Sequence, residues 1–395
     1  MKTTPRRGLL LVAAVALLFT TAALLFLGIY HHTAHDVTLS REEEEEGFGM
    51  DWKTEIPLPV HRNPDEKLAY AIFLSGTLDQ DEDLENDDFF VAVRIVVWQL
   101  LHKKDTRALG IDVVVIVTPS VTPSRRALLK KDGAMIHPVE LLHTKNDSWI
   151  HQDEPRWKDV MTKLVVLQMT QYNRVLLLDG DTLLRSRLDG VFDDPAAQIL
   201  NVLPARKKKH QRLEGEAPLP STYLMAGKFE VHCWNTQHDF PPKKEQINVP
   251  SNFNAGFIMF APSEEMFNYY VSFLDIKDSF DPKYPEQNLL NHVHRRDGPM
   301  PWKPLNFRWN TICPNEVDFE LGMVSAHEKW WGRDPGYGTL EEGVTKWLMG
   351  QRWEMKGWYD GWNAVVQIQN EERPPPHSTN NSTAVDLKRY PLLLE

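Results

Sequence analysis

The run Tyr172-Asn173-Arg174-Val175-Leu176-Leu177-Leu178 is apolar, short, and ends on Asp179-Gly180-Asp181. Its length and its turn-forming boundaries predict a buried strand. Comparable runs recur upstream and alternate with helical patterns. Residues 69–76 read as a strand with a glycine exit, 111–117 as a second buried strand and 134–141 as a weaker one. Between them, 88–101 carries Phe89, Val93, Val96, Val97 and Leu100 on one helical stripe. Residues 123–131 read as a short helix opened by Thr122 as N-cap, and 154–170 as a helix with Trp157, Val160, Met161 and Leu164 at helical spacing. Strands separated by helices restrict the chain to an α/β domain with a mostly parallel sheet and right-handed crossovers. Such sheets bind ligands beyond the carboxyl ends of their strands. Two carboxylates one residue apart at such an end can hold a hard divalent cation, with positions left over for a diphosphate. Taken alone, the same tripeptide reads equally well as a polar turn closing a strand.

Charge and cysteine content remove several classes of function. A formal net charge of -11 and a pI near 5.8 argue against nucleic acid as a partner. The two cysteines, Cys233 and Cys313, make neither a zinc site nor a disulfide framework. They fit one disulfide in an oxidising compartment or two unpaired thiols. There is no P-loop pattern, which speaks against a phosphoryl-transfer enzyme.

The chain divides by composition. Residues 1–7 are a basic tail containing Lys2, Arg6 and Arg7, and 8–30 are an apolar run long enough to cross a bilayer about 30 Å thick. The basic flank predicts a transmembrane signal anchor with the remainder lumenal; small residues at 20–23 allow a cleaved signal instead. Residues 31–66, with Glu42 to Glu46 in a row and then prolines, read as a solvated stem. The domain proper is expected over 67–335, a tryptophan-rich helical extension over 336–371 and a disordered tail over 372–395. Residues 204–250 break the period and read as a long basic loop over the active face. Beyond it come a strand at 253–260 and helices at 263–274 and 285–295. The tryptophans of 340–362 are expected to pack a helix onto the domain rather than to bind sugar rings.

Five blocks in order resemble the glycogenin-type transferases, glycosyltransferase family 8. They are Met161-Thr162-Lys163-Leu164 with the strand ending in Asp179-Gly180-Asp181, Leu188-Asp189-Gly190-Val191-Phe192, Phe253-Asn254-Ala255-Gly256-Phe257, Glu286-Gln287-Asn288-Leu289-Leu290-Asn291, and His327-Glu328-Lys329-Trp330-Trp331. The central block is also similar to fungal Golgi N-acetylglucosaminyltransferases. The resemblance implies a GT-A fold, a Rossmann-like sheet carrying a metal at the carboxylate pair. It implies Mn²⁺-dependent transfer of a sugar from a UDP-sugar, with retention, to a glycan or glycoprotein acceptor. It also implies a single-pass type II Golgi membrane protein with a lumenal catalytic domain; a second copy of the chain is a further partner to consider.

By the same resemblance, Asp179, Asp181 and His327 are metal ligands. Leu74, Ser75 and Gly76 lie along the uridine, Phe89 near the base, Lys163 at the donor and Gly180 close to the ribose. Lys329 reaches toward the diphosphate, although the segment between it and His327 is shorter than usual. Asn254 and Gln287 face the donor sugar and the reacting carbon, and Glu286 stands where aspartate is common. The alternative is a catalytically inactive transferase-like subunit of a glycosylation complex; the intact Asp179, Asp181 and His327 set argues against it.

Overall fold

The computed structural model describes residues 65–76, 83–151, 159–231, 233, 238–329, 331–332 and 338–371. The predicted anchor over 8–30 and the tail over 372–395 lie outside them, as does all but the end of the stem. Among the described residues no helix is long and apolar enough to cross a membrane.

In chain order the strands are β1 (Leu68–Leu74), β2 (Asp112–Val117), β3 (Met135–Pro138), β4 (Arg174–Leu178), β5 (Thr182–Leu184), β6 (Leu200–Asn201), β7 (Thr222–Tyr223), β8 (Met225–Phe229), β9 (Phe253–Phe260), β10 (Lys303–Pro304), β11 (Thr311–Ile312) and β12 (Ser325–His327). The helices are α1 (Asp88–Leu101), α2 (Pro123–Lys131), α3 (Pro204–Lys209), α4 (Glu264–Leu274), α5 (Pro285–Val293), α6 (Glu316–Glu320) and α7 (Glu342–Glu371). The main sheet has seven strands in the order β10-β8-β9-β4-β1-β2-β3. Pairs β1–β2, β1–β4, β2–β3 and β8–β10 are parallel, while β9 runs antiparallel to both β4 and β8. The expected mostly parallel sheet is present, with one reversed strand at its centre.

β4 is central and all five of its residues are buried, which is why its sequence is continuously apolar rather than alternating. Its neighbours β1 and β9 hold it in register, with Leu178 opposite both Ile72 and Phe257. The chain leaves β4 through Asp179-Gly180-Asp181 and enters β5. β5 pairs antiparallel with β12, so Thr182 lies opposite His327.

Helix α1 departs from its expected single stripe: every residue from Phe90 to Leu100 is buried. The reason is α7, which lies against its outer side. Gln99 and Gln351 are hydrogen-bonded at 2.9 Å, and Trp358 stacks on His102 with centroids 4.4 Å apart. Gln99 also exchanges two hydrogen bonds with the Leu184 backbone, fixing β5 against α1. The expected packing role holds for Trp347 and Trp358, but Trp353 and Trp362 are 61% and 51% exposed.

Three further expectations are corrected. The described part of 154–170 is a 3₁₀ helix over Val160–Gln168, not an α-helix. Residues Val160 to Leu167 are all buried, so packing on several sides overrides the propensity for an amphipathic helix. Residues 204–250 are not simply a loop, because β8 lies inside them and joins the main sheet. Gly227 and Lys228 disguise it as polar. Lys228 is buried, its Nζ donating to the Leu305 carbonyl at 3.3 Å and lying 4.4 Å from the Phe307 ring centre. The stem boundary also moves, since Glu66 accepts two hydrogen bonds from Arg174 at 2.6 and 2.8 Å and so belongs to the domain. Cys233 and Cys313 form a disulfide, flanked by Val231, Phe307 and Ile312.

Candidate active site

Three side chains from the termini of three strands converge. Asp179 leaves β4, Asp181 precedes β5 and His327 ends β12. The Nε2 atom of His327 lies 3.1 Å from Asp181 Oδ1 and 4.0 Å from Asp179 Oδ2. One ligand atom from each of the three lies within 4.8 Å of the others. Backbone bonds hold the arrangement: Asp179 N donates to Gly256 O at 2.9 Å, Glu328 N to Asp181 O at 3.1 Å, and Thr182 N to Asp179 O at 3.1 Å. Gly256 makes room for it. A Cβ at that position would collide with His327 Cε1 and come within 2.8 Å of Asp179 Oδ2. Two carboxylates and an imidazole, the last admitted by the missing side chain of Gly256, fit a divalent cation such as Mn²⁺.

Lys163 ties this centre to α5. Its Nζ donates to Asp179 Oδ1 at 2.7 Å and to Glu286 Oε1 at 3.1 Å. Burial alone would lower its pKa, but the two carboxylates outweigh burial and raise it well above the ordinary lysine value. Burial likewise favours a neutral Asp181, yet the charge and hydrogen bond of His327 and the charge of Lys329 hold its carboxyl well below the usual range. His327 is raised for the reciprocal reason: desolvation opposes its charge, and Asp181 and Asp179 overcome it.

The two amides are oriented by backbone. Asn254 Oδ1 accepts from Gly256 N at 2.8 Å, and Gln287 Oε1 accepts from Ala255 N at 3.0 Å. Both residues are half-buried, and these bonds leave their amino groups free to donate. Glu286 and Gln287 occupy the first turn of α5 behind Pro285, and Asn291, further along the helix, clamps the Phe253 backbone with two hydrogen bonds of 2.9 Å. The sequence motifs therefore work as pairs: the β9 motif and the α5 motif bond to each other.

The structure does not gather all the expected nucleotide residues in the expected way. Leu74 is a core residue, 4% exposed, and its carbonyl is taken by Thr118 N. Phe89 is not on the core stripe, where Phe90 sits instead. It is half-buried and meets Trp331 edge to face at 5.1 Å. Gly180 is required by packing, because a Cβ there would lie 2.5 Å from Val93 Cγ2 of α1. Ser75 and Gly76 do stand at the carboxyl end of β1, bonded to Asp159 and Ser120 respectively. Lys329 is half-buried and acts on Asp181 by its charge. Sequence reasoning missed Gly256 as a site residue and the contact that Asp159 makes with Ser75. Gly256 was visible inside its motif; Asp159 sits in no motif, and only the folded chain brings it to β1.

A family model, Glycosyl transferase family 8, matches residues 85–326. The chain belongs to that family and is a glycosyltransferase. Among curated relatives, an uncharacterised protein of Schizosaccharomyces pombe is 27% identical over 269 residues, covering 63% of this chain and 70% of its own length. Galactinol synthase 2 of Arabidopsis thaliana is 24% identical over 282 residues, covering 69% of this chain and 74% of its own. Among solved structures, a galactosyltransferase crystallised with donor and acceptor sugar analogues is similar over 72% of this chain and 95% of its own, at 13% identity and a TM-score of 0.42.

Proposed function

We propose that this glycosyltransferase moves a hexosyl or N-acetylhexosaminyl group from a UDP-sugar, UDP-GlcNAc or UDP-glucose being the leading donors, to a glycan or glycoprotein acceptor. The observation that supports this most is the meeting of Asp179, Asp181 and His327 beside the Lys163–Glu286 pair at the end of the central strand. The three would hold Mn²⁺, which supplies charge neutralisation for a departing diphosphate. Lys163 orients Asp179 and Glu286 together, so the metal side and the sugar side of the site are positioned as one unit. The free amino groups of Asn254 and Gln287 suit donor-sugar hydroxyls.

Retention follows a front-face path in this reading. The bond from the anomeric carbon to UDP breaks, with its electron pair going to the phosphate oxygen. The acceptor hydroxyl adds on the same face, and its proton passes to the departing phosphate. A covalent route would need a free carboxylate in line with that bond. Glu286 is engaged by Lys163 and sits in the first turn of a helix, where a carboxylate complements the dipole. The second lone pair of Gln287 Oε1 can stabilise positive charge on the ring.

The proposed location is the lumenal side of the Golgi membrane, with 8–30 as a type II anchor. The basic flank and apolar length support it, and so does the disulfide, which suits an oxidising compartment. The function is tested by incubating the protein with Mn²⁺ and each of UDP-glucose, UDP-galactose, UDP-GlcNAc and UDP-xylose and measuring UDP release. One donor should be turned over well above the others. No release from any of them would favour a catalytically inactive partner subunit.

A further inference from the structure

At the carboxyl ends of β1 and β2, beside the metal centre, lies a second polar cluster. Ser75 Oγ donates to Asp159 Oδ2 at 2.6 Å. Thr118 Oγ1 donates to Ser75 Oγ at 3.1 Å and lies 2.7 Å from Ser120 Oγ. Ser120 Oγ accepts from Gly76 N at 2.8 Å. Gly76 must be glycine for this approach, since a Cβ there would lie 2.7 Å from Ser120 Cβ. The hydroxyls form a chain that ends on one carboxylate and fixes its orientation.

Beyond the bond from Ser75, little in the fold engages that carboxylate. Asp159 precedes the 3₁₀ helix Val160–Gln168 but caps none of its backbone amides. Among the described residues no cation pairs with it, and its second oxygen has no hydrogen-bond partner. It is half-buried, so the open oxygen remains accessible. β1 lies next to β4 in the sheet and β2 next to β1, so their ends are one and two strand spacings from the end of β4, or about 5–10 Å. A diphosphate at the metal centre would carry its nucleoside across that span. A carboxylate only accepts hydrogen bonds, so it matches a base edge that donates and repels one that accepts.

Resting on the UDP-sugar reading above, we propose that Asp159 selects the base of the donor, its open carboxylate oxygen accepting from the imide N3–H of uracil. Cytosine presents an unprotonated, accepting N3 at the same place and is rejected. Ser75 and Thr118 are positioning residues, holding the carboxylate to the base plane. Asp159 lies in no block through which the sequence resembles its family.

The test is calorimetric titration of the 395-residue chain with UDP, CDP and N3-methyl-UDP in the presence of Mn²⁺. The wild type should bind UDP at least about tenfold more tightly than either analogue, the range for a hydrogen bond to a charged group. Asp159→Ala should weaken UDP about tenfold and bring UDP and CDP within roughly threefold of each other. Asp159→Asn, which can donate to cytosine N3, should improve CDP relative to UDP. Equal wild-type affinity for UDP and N3-methyl-UDP overturns the proposal, as does an unchanged UDP-to-CDP ratio in both variants; in either case the donor reading survives. A wild type that binds no UDP with Mn²⁺ overturns both.

Discussion

Each key residue is set by a neighbour that fixes its geometry. Gly256 is the sharpest case, because the imidazole of His327 occupies the volume that a side chain would need. Gly256→Ala should push His327 away from the carboxylates. Mn²⁺-dependent UDP affinity should fall by about tenfold or more, while the overpacked strand loses about 1–3 kcal/mol of stability. Titration and denaturant unfolding measure the two, and unchanged affinity would remove His327 from the metal set. Glu286 and Gln287 are adjacent yet differently engaged, one by Lys163 and the other by the Ala255 backbone. Glu286→Gln should retain measurable transfer, and Gln287→Ala should lose more in kcat than in KM. A sugar trapped covalently on Glu286 would contradict the front-face path and leave the family assignment standing. The carboxylates, His327, Lys163 and the amides were legible because each belongs to a short ordered motif. Asp159 was not, because its role depends on the distance between two chain segments that no spacing encodes.

Elements that look alike in sequence owe their differences to what covers them. β4 was readable because its burial is complete and its apolar run unbroken. β8 was not, because a buried lysine and a glycine interrupt it, and the packing that tolerates Lys228 is visible only when folded. The 3₁₀ segment Val160–Gln168 was misread for the opposite reason: being buried nearly all round, it has no polar face to set a period. Helix α5 carries a titratable anchor at its end. His294 is fully buried, accepts from the Tyr270 hydroxyl and donates to Met300 O at 2.7 Å. Burial depresses its pKa to about 3, so the folded chain holds it neutral. The unfolded chain protonates it near pH 6.5, so its stabilisation is complete above that pH and is lost as pH falls toward 3. Between pH 7 and pH 5 this group should cost about 2 kcal/mol of unfolding free energy, and His294→Gln should flatten that slope. Identical pH slopes for wild type and variant would show that His294 charges in place.

At the scale of the whole molecule, the carboxyl ends of the central strands gather the chemistry, while a disulfide ties two stretches of chain together. The disulfide joins residues 80 apart in sequence. Cys233→Ser with Cys313→Ser should cost about 2–4 kcal/mol by denaturant unfolding. The bond also reports on location: protein alkylated on release from cells should carry neither modified cysteine, and free thiols would contradict a lumenal domain. The central claim is that two carboxylates in the turn after β4 and one histidine at the end of β12 make a metal site for a nucleoside diphosphate. Calorimetric titration of UDP into the protein, with and without Mn²⁺, tests it most directly when repeated on Asp179→Asn and Asp181→Asn. The account predicts UDP binding that requires Mn²⁺ in the wild type and is lost in both variants, each with its fold intact; UDP affinity indifferent to the metal and to both substitutions would contradict it.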